Sequence, residues 1–281
     1  MNATVSNFHY GAVTPVAAYL MACLGAALGL RCATRSLRRP QRRAGWLALG
    51  AISIGSGIWT MHFIGMIGFS VQGAPLSYDT PKTLLSLAVA IAVVAVGVFL
   101  VGYRGGSPAN LALAGTITGL GVAAMHYLGM DAVHTDGTLH YDVTTVALSV
   151  VIAIAAATAA LWAAVSIHTF WSSLGASLVM GVAVTGMHYT GMAAVSVHIT
   201  GASGTSQSST DLISFLLAML AGPLVVLLVA AVIVMFDPDL IVGDEEPNRA
   251  FAGTGAYDSA TPYPSQYQAQ NPTHRTDGYA P

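Results

Sequence analysis

Long apolar runs alternate with short polar breaks along most of this chain. The runs cover about 12–30, 46–69, 82–102, 109–132, 143–165, 173–197 and 212–236. Each is long enough, as a helix, to cross the roughly 30 Å hydrocarbon core of a bilayer. The pattern predicts an all-α, polytopic integral membrane protein with seven transmembrane helices. The breaks carry turn and cap chemistry. Asp79-Thr80-Pro81 reads as a helix start with Thr80 as cap and Pro81 as first helical residue. Tyr103 to Pro108 reads as a tight turn, Asp211 as the cap of the last span, and Pro223 as a kink within it. Residues 1–11 lack a basic segment and the first run is long enough to span, so that run reads as a retained helix, not a cleaved signal.

Past the seventh run the pattern stops. Residues 237–281 are rich in Pro, Gly, Tyr, Gln and Asn without apolar periodicity, which predicts disorder. The expected organisation is a membrane domain over 1–236 and a disordered cytoplasmic tail over 237–281.

Composition agrees with the spans. The chain is 54% hydrophobic and 8% charged, against roughly 25% charged in soluble domains. The lipid bilayer is therefore its main partner. A net charge of −2, with the few charges clustered at the connections, gives no footprint for nucleic acid. The charges that exist fix orientation. Arg31, Arg35, Arg38, Arg39, Arg42 and Arg43 crowd the connection between the first two spans, and such excess marks the cytoplasmic side. The loop with His134, Asp136, His140 and Asp142 has no Lys or Arg, as an outer loop should. The N-terminus is thus expected outside and the tail inside. Cys23 and Cys32 share the first span about 13 Å apart, too far for a disulfide, and read as packing residues.

One feature repeats. Met61-His62-Phe63-Ile64-Gly65-Met66, Met125-His126-Tyr127-Leu128-Gly129-Met130 and Met187-His188-Tyr189-Thr190-Gly191-Met192 are three copies of M-H-aromatic-x-G-M. They recur about every two spans, which sets the architecture as three two-helix repeats plus one extra helix. The second, fourth and sixth spans then run the same way. His62 lies roughly 25 Å along a core of about 30 Å, so all three motifs sit at one depth, toward the outer surface.

On a helix each histidine and the methionine four residues later share a face. His62 pairs with Met66, His126 with Met130 and His188 with Met192. Met61, Met125 and Met187 flank the same groove. Gly65, Gly129 and Gly191 are expected to let a neighbouring backbone approach closely. Three such helices facing inward converge three imidazoles and three to six thioethers. Thioethers are poor ligands for zinc, magnesium or calcium, whereas imidazole with methionine suits copper, cycling between Cu(I) and Cu(II). A histidine in a dry bundle is costly, so a partner is expected. Haem fits less well, because it needs axial ligands across a flat cavity. Interhelical hydrogen bonding is the competing reading.

Accessory candidates sit near the same rim. His134 follows Met130 by four residues, so His126, Met130 and His134 form one stripe if the helix continues. His140, His198 and Asp131 are further candidates, and His9 lies on the same side. Trp59, Tyr127 and Tyr189 read as interface-belt aromatics, with a tyrosine hydrogen bond to the site as the alternative. His168 and His274 receive no role.

The three motif copies resemble the bacterial MHYT domain over about residues 10–236. That resemblance implies an integral-membrane sensor domain proposed to bind copper through the motif and to sense oxygen, carbon monoxide or nitric oxide. Members of the family are often fused to GGDEF, EAL or histidine kinase domains. Here the first copy has Phe63 for tyrosine, and the stretch after the last span is too short for such a domain. The expectation is a standalone, non-enzymatic copper sensor of a diatomic gas or redox state in a bacterial inner membrane, signalling through a separate cytoplasmic or membrane protein. A copper handling or transport protein is the second reading, and an accessory protein of a membrane oxidoreductase the third.

Overall fold

The computed structural model describes residues 2–3, 5–7, 9–72, 76–135, 137–167, 169–199 and 209–236. The expected tail over 237–281, the loop over 200–208, Asp136, His168 and His274 lie outside the described residues. Seven helices long and apolar enough to cross a membrane are present among the described residues. They are α1 (Val13–Arg38), α2 (Arg43–Ile67), α3 (Thr80–Arg104), α4 (Pro108–Asp131), α5 (Val143–Ser166), α6 (Phe170–Ala193) and α7 (Ser209–Met235).

Local chemistry sets several boundaries. Asp79, not Thr80, caps α3: its side chain accepts from the Lys82 amide at 2.9 Å, one turn ahead, and Thr80 becomes the first helical residue. Ser107 and Thr169 cap α4 and α6 in the same way. Asp142 caps α5, and the hydroxyl and amide of Thr145 hold its carboxyl below the usual carboxylate range. Gly105 ends α3 at φ 82, a conformation that favours glycine. The first helix runs on to Arg38, so Arg31, Arg35 and Arg38 are on the helix itself. Their neighbourhood is aromatic: Arg31 lies over Phe170, Arg35 over Trp46 and Arg43 over Tyr103, each within 5.1 Å of the ring centre. α7 begins at Ser209 and continues through Pro223.

α1 to α6 form a closed ring in chain order, with α6 returning to α1, and α7 packs outside against α2 and α1. Glycine permits the tightest approach. A β-carbon on Gly57 would lie 2.7 Å from the Cα of Gly25, so α1 and α2 touch backbone to backbone. Large apolar side chains such as Leu148, Val151 and Val179 are exposed on the outside of the ring, as a lipid-facing surface requires.

The connections at one end are not simple loops. Among the described residues seven short strands lie there: β1 (Asn2–Ala3), β2 (Val5–Ser6), β3 (Ser70–Val71), β4 (Leu76–Tyr78), β5 (Val133–Thr135), β6 (Gly137–Tyr141) and β7 (Val195–Ile199). β2 pairs with β3, β4 with β5 and β6 with β7, all antiparallel, and β1 adds to β7. Each repeat is therefore strand–helix–helix–strand, closed by its own strand pair. The Asp79 amide donates to the Ala132 carbonyl and the Asp142 amide to that of Ala194, both at 2.9 Å, fixing the second and third repeats alike. This strand layer was absent from the helix-only expectation. It also shortens α6: the third motif helix stops at Ala193, and the residues expected to extend it to 197 enter β7.

Candidate metal centre

The three motifs occupy the same register. His62, His126 and His188 each lie five residues before the end of α2, α4 and α6, about 7.5 Å below the strand layer. All three are buried at 1% exposure. Their Nδ1 atoms form a triangle, with His62 to His126 at 3.1 Å, His62 to His188 at 3.1 Å and His126 to His188 at 3.3 Å. The rings stand edge-on to one another, 83° to 86° apart, as three blades with Nδ1 at the hub. They are the one metal-competent group of this kind among the described residues.

Glycine creates this geometry, but not as expected. A β-carbon on Gly65 would overlap Nε2 of His188, one on Gly129 that of His62, and one on Gly191 that of His126. Each glycine makes room for the imidazole of another repeat, not for its backbone. The rings are thus held between a glycine wall and the hub.

Hydrogen bonding cannot satisfy the hub. A neutral imidazole nitrogen either donates or accepts, never both. Among three mutually adjacent Nδ1 atoms two must be alike, so at least one edge sets proton against proton or lone pair against lone pair. Each Nε2 is buried without a hydrogen-bond partner among the described residues, so no outside group fixes the tautomers. The donor set fits a cation instead. The point equidistant from the three nitrogens lies about 1.8 Å from each by plane geometry, close to the roughly 2.0 Å of metal–imidazole bonds.

The methionines bracket the triangle. Met66, Met130 and Met192 lie one turn closer to the strand layer, buried in a cluster with Val71, Leu76, Val133 and Val197. Met61, Met125 and Met187 are buried in the main core. The strand layer thereby seals the histidines beneath an apolar lid.

The aromatic position of each motif ties one repeat to the next. Tyr127 reaches Ser149 of α5 at 2.7 Å, and Tyr189 lies near Thr14 of α1. Phe63 has no hydroxyl, and Trp59 takes its place by donating to Ser86 of α3 at 2.9 Å. Trp59 is fully buried and is not a belt residue. Its depth one turn before His62 was the available signal.

The remaining candidates lie elsewhere. Asp131 is exposed and paired with Lys82 at 2.7 Å. The stripe through His134 does not form, because α4 ends at Asp131; His134 is exposed on β5, its Nδ1 3.2 Å from the Ala132 carbonyl. His140 and His198 meet edge-on across β6 and β7, on the face opposite the buried Val195 and Val197. His9 meets Tyr10 edge-on near the chain start.

Known proteins resemble this chain in sequence. The sequence model for the MHYT repeat, described as a bacterial signalling protein N-terminal repeat, matches residues 55–114 and 119–177. MucR of Pseudomonas aeruginosa, a bifunctional diguanylate cyclase and cyclic di-GMP phosphodiesterase, is 38% identical over 72% of this chain and 30% of its own length. NbdA of the same organism, a cyclic di-GMP phosphodiesterase, is 36% identical over 74% of this chain and 27% of its own. The signaling protein YkoW of Bacillus subtilis is 31% identical over 54% of this chain and 20% of its own. The chain thus spans less than a third of these curated relatives. No solved structure matches it.

Proposed function

This chain belongs to the MHYT family of membrane signalling domains, and from that premise we propose that its histidine triangle holds copper and senses a diatomic gas or redox state. The observation carrying the reading is the convergence of three Nδ1 atoms that cannot satisfy one another. Bound copper would supply a position for oxygen, carbon monoxide or nitric oxide, or a change of oxidation state. His62, His126 and His188 hold the ion, the glycines orient the rings, and the lid excludes water. Met66, Met130 and Met192 on one side and Met61, Met125 and Met187 on the other offer soft donors. The three histidines sit on three different helices of one ring, so any change at the hub acts on all three repeats together. Such a change becomes a signal where the ring has two packings of similar energy. MucR and NbdA are named for cyclic di-GMP turnover, which makes that messenger the first output to examine, through a separate partner protein.

Transport is disfavoured by the residues below the triangle. Four residues before the histidines stand Ile58, Val122 and Val184, which offer a metal ion no ligand.

Carbon monoxide tests the reading. Reduced, copper-loaded protein should give an infrared C–O band that is lost in His126→Ala. Loaded protein that binds no carbon monoxide, nitric oxide or oxygen and shows no redox change would sink it. Met66→Leu, Met130→Leu and Met192→Leu conserve volume, and each should lower copper affinity by less than loss of a histidine, measured by competition with a Cu(I) chelator. The arginine-rich end is assigned to the cytoplasm and the lid to the outer face of the inner membrane. Reporter fusions after Arg38 and after Thr138 should therefore report opposite sides, with Arg38 cytoplasmic.

A further inference from the structure

The helix faces that carry the histidines continue away from the lid as apolar ladders. One turn below His62, His126 and His188 are Ile58, Val122 and Val184, and a second turn below are Ile54, Thr118 and Met180. These six residues line one cavity of about 60 Å³, completed by side chains from α1, α3 and α5 and reaching Met187 beside the triangle. All six ring helices contribute, so the cavity lies on the axis of the ring, directly below the hub. Its α5 wall is Leu161 and a run of small residues, Ala153, Ala156, Ala157, Ala160 and Ala164.

The cavity has no use for water. Its volume exceeds several-fold the roughly 10–15 Å³ that one water requires, but a buried water needs two to four polar partners. Thr118 carries the one hydroxyl in the lining, and that hydroxyl donates to the Val93 carbonyl at 3.4 Å. A dry cavity of this kind takes small apolar molecules. A charged or hydrated species would lose its solvation there without compensation.

The cavity also has an inner neighbour. A second cavity of about 140 Å³ at the arginine end is lined by Arg43, Leu47, Gly105 and Gly106. Val98, Leu161 and Ala164 border both. Those shared side chains stand between the axial space and the cavity at the arginine end, whereas the strand layer and the methionine cluster lie at the other end.

We infer that the axial cavity is a binding and access site for a small uncharged diatomic molecule, which reaches the histidine triangle from the arginine end through the core and not across the strand lid. The inference rests on the sensor reading for what the molecule meets at the triangle, while the cavity itself does not depend on metal. Ala157 sets the width from α5, where it is 9% exposed, and Val94 from α3, where it is 2% exposed. Passage past them depends on side-chain motion, because packed interiors leave few voids of molecular size.

Two measurements test it. Xenon, a spherical apolar probe, should occupy the axial cavity of the metal-free protein, seen by xenon NMR or under pressure in crystals. Ala157→Leu should abolish that occupancy and Val94→Ala should increase it. On copper-loaded, reduced protein, flash photolysis should show carbon monoxide rebinding from solution slowed about tenfold by Ala157→Leu and accelerated by Val94→Ala, with copper content unchanged in both. Val94→Ala removes atoms and does not add them, so it keeps the test informative if Ala157→Leu fails to fold. Absence of xenon from the wild-type cavity would overturn the inference, as would carbon monoxide rates indifferent to both changes. Xenon bound in the cavity of a protein whose copper takes no carbon monoxide would overturn the sensor reading alone.

Discussion

Replacing any one of His62, His126 and His188 by alanine is expected to empty the centre of copper while the protein stays in the membrane. The three nitrogens contribute nearly equal edges to one triangle, so the three variants should behave alike. Even loss of a group behind a ligand typically costs about 10–100-fold in metal affinity, and loss of a ligand costs more. The alternative account, a hydrogen-bonded histidine cluster, predicts something different. There, removing one ring would relieve the frustrated edge and leave a single donor–acceptor pair, with stability little changed or improved. Copper per protein and thermal unfolding, with and without copper, separate the two. The metal account expects wild-type protein to be stabilised by copper and each variant not to be, since a ligand bound only by the native state stabilises by mass action.

The second large effect comes from three glycines. Gly65→Ala, Gly129→Ala and Gly191→Ala each place a methyl group where Nε2 of the neighbouring repeat's histidine stands. The ring has no free direction of retreat, because its Nδ1 faces the hub. Overpacking of this kind typically costs about 1–3 kcal/mol, and displacement of the ring opens the triangle. Copper binding should fall almost as far as in the histidine variants, although no ligand has been removed. Gly45→Ala and Gly175→Ala are the controls: both sites have nothing within 4 Å of the added carbon. Those changes should leave copper untouched. Equal copper binding in all five glycine variants would mean that the rings are not confined as described.

The helices and the site were legible to different degrees. Apolar run length fixes seven spans, and the spacing of His62, His126 and His188 fixes the repeat, because a two-span period returns each motif to one end of the bundle. What the motif glycines face was not legible. Spacing along one helix says that a face is smooth, but only the ring closure of α1 to α6 shows that an imidazole from another repeat fills it. The strand lid was missed for a different reason. Val195-Ser196-Val197-His198-Ile199 alternates as a half-buried strand does. It follows a helix without a break, however, and its composition continues the apolar run. The same alternation shows that His198 points away from the side carrying Val195 and Val197. Trp59 was misread because an aromatic near the end of a span ordinarily marks the interface. Its partner Ser86 lies on the next helix, at a distance in sequence that no local pattern reveals.

X-ray absorption on purified protein prepared under reducing, copper-replete conditions tests the central claim most directly. The account predicts copper bound by three imidazole nitrogens near 2.0 Å, with or without a longer sulfur contact. That signal should vanish in His62→Ala, His126→Ala and His188→Ala alike. Protein that carries no copper under those conditions, or whose three histidine variants keep the wild-type spectrum, would contradict it.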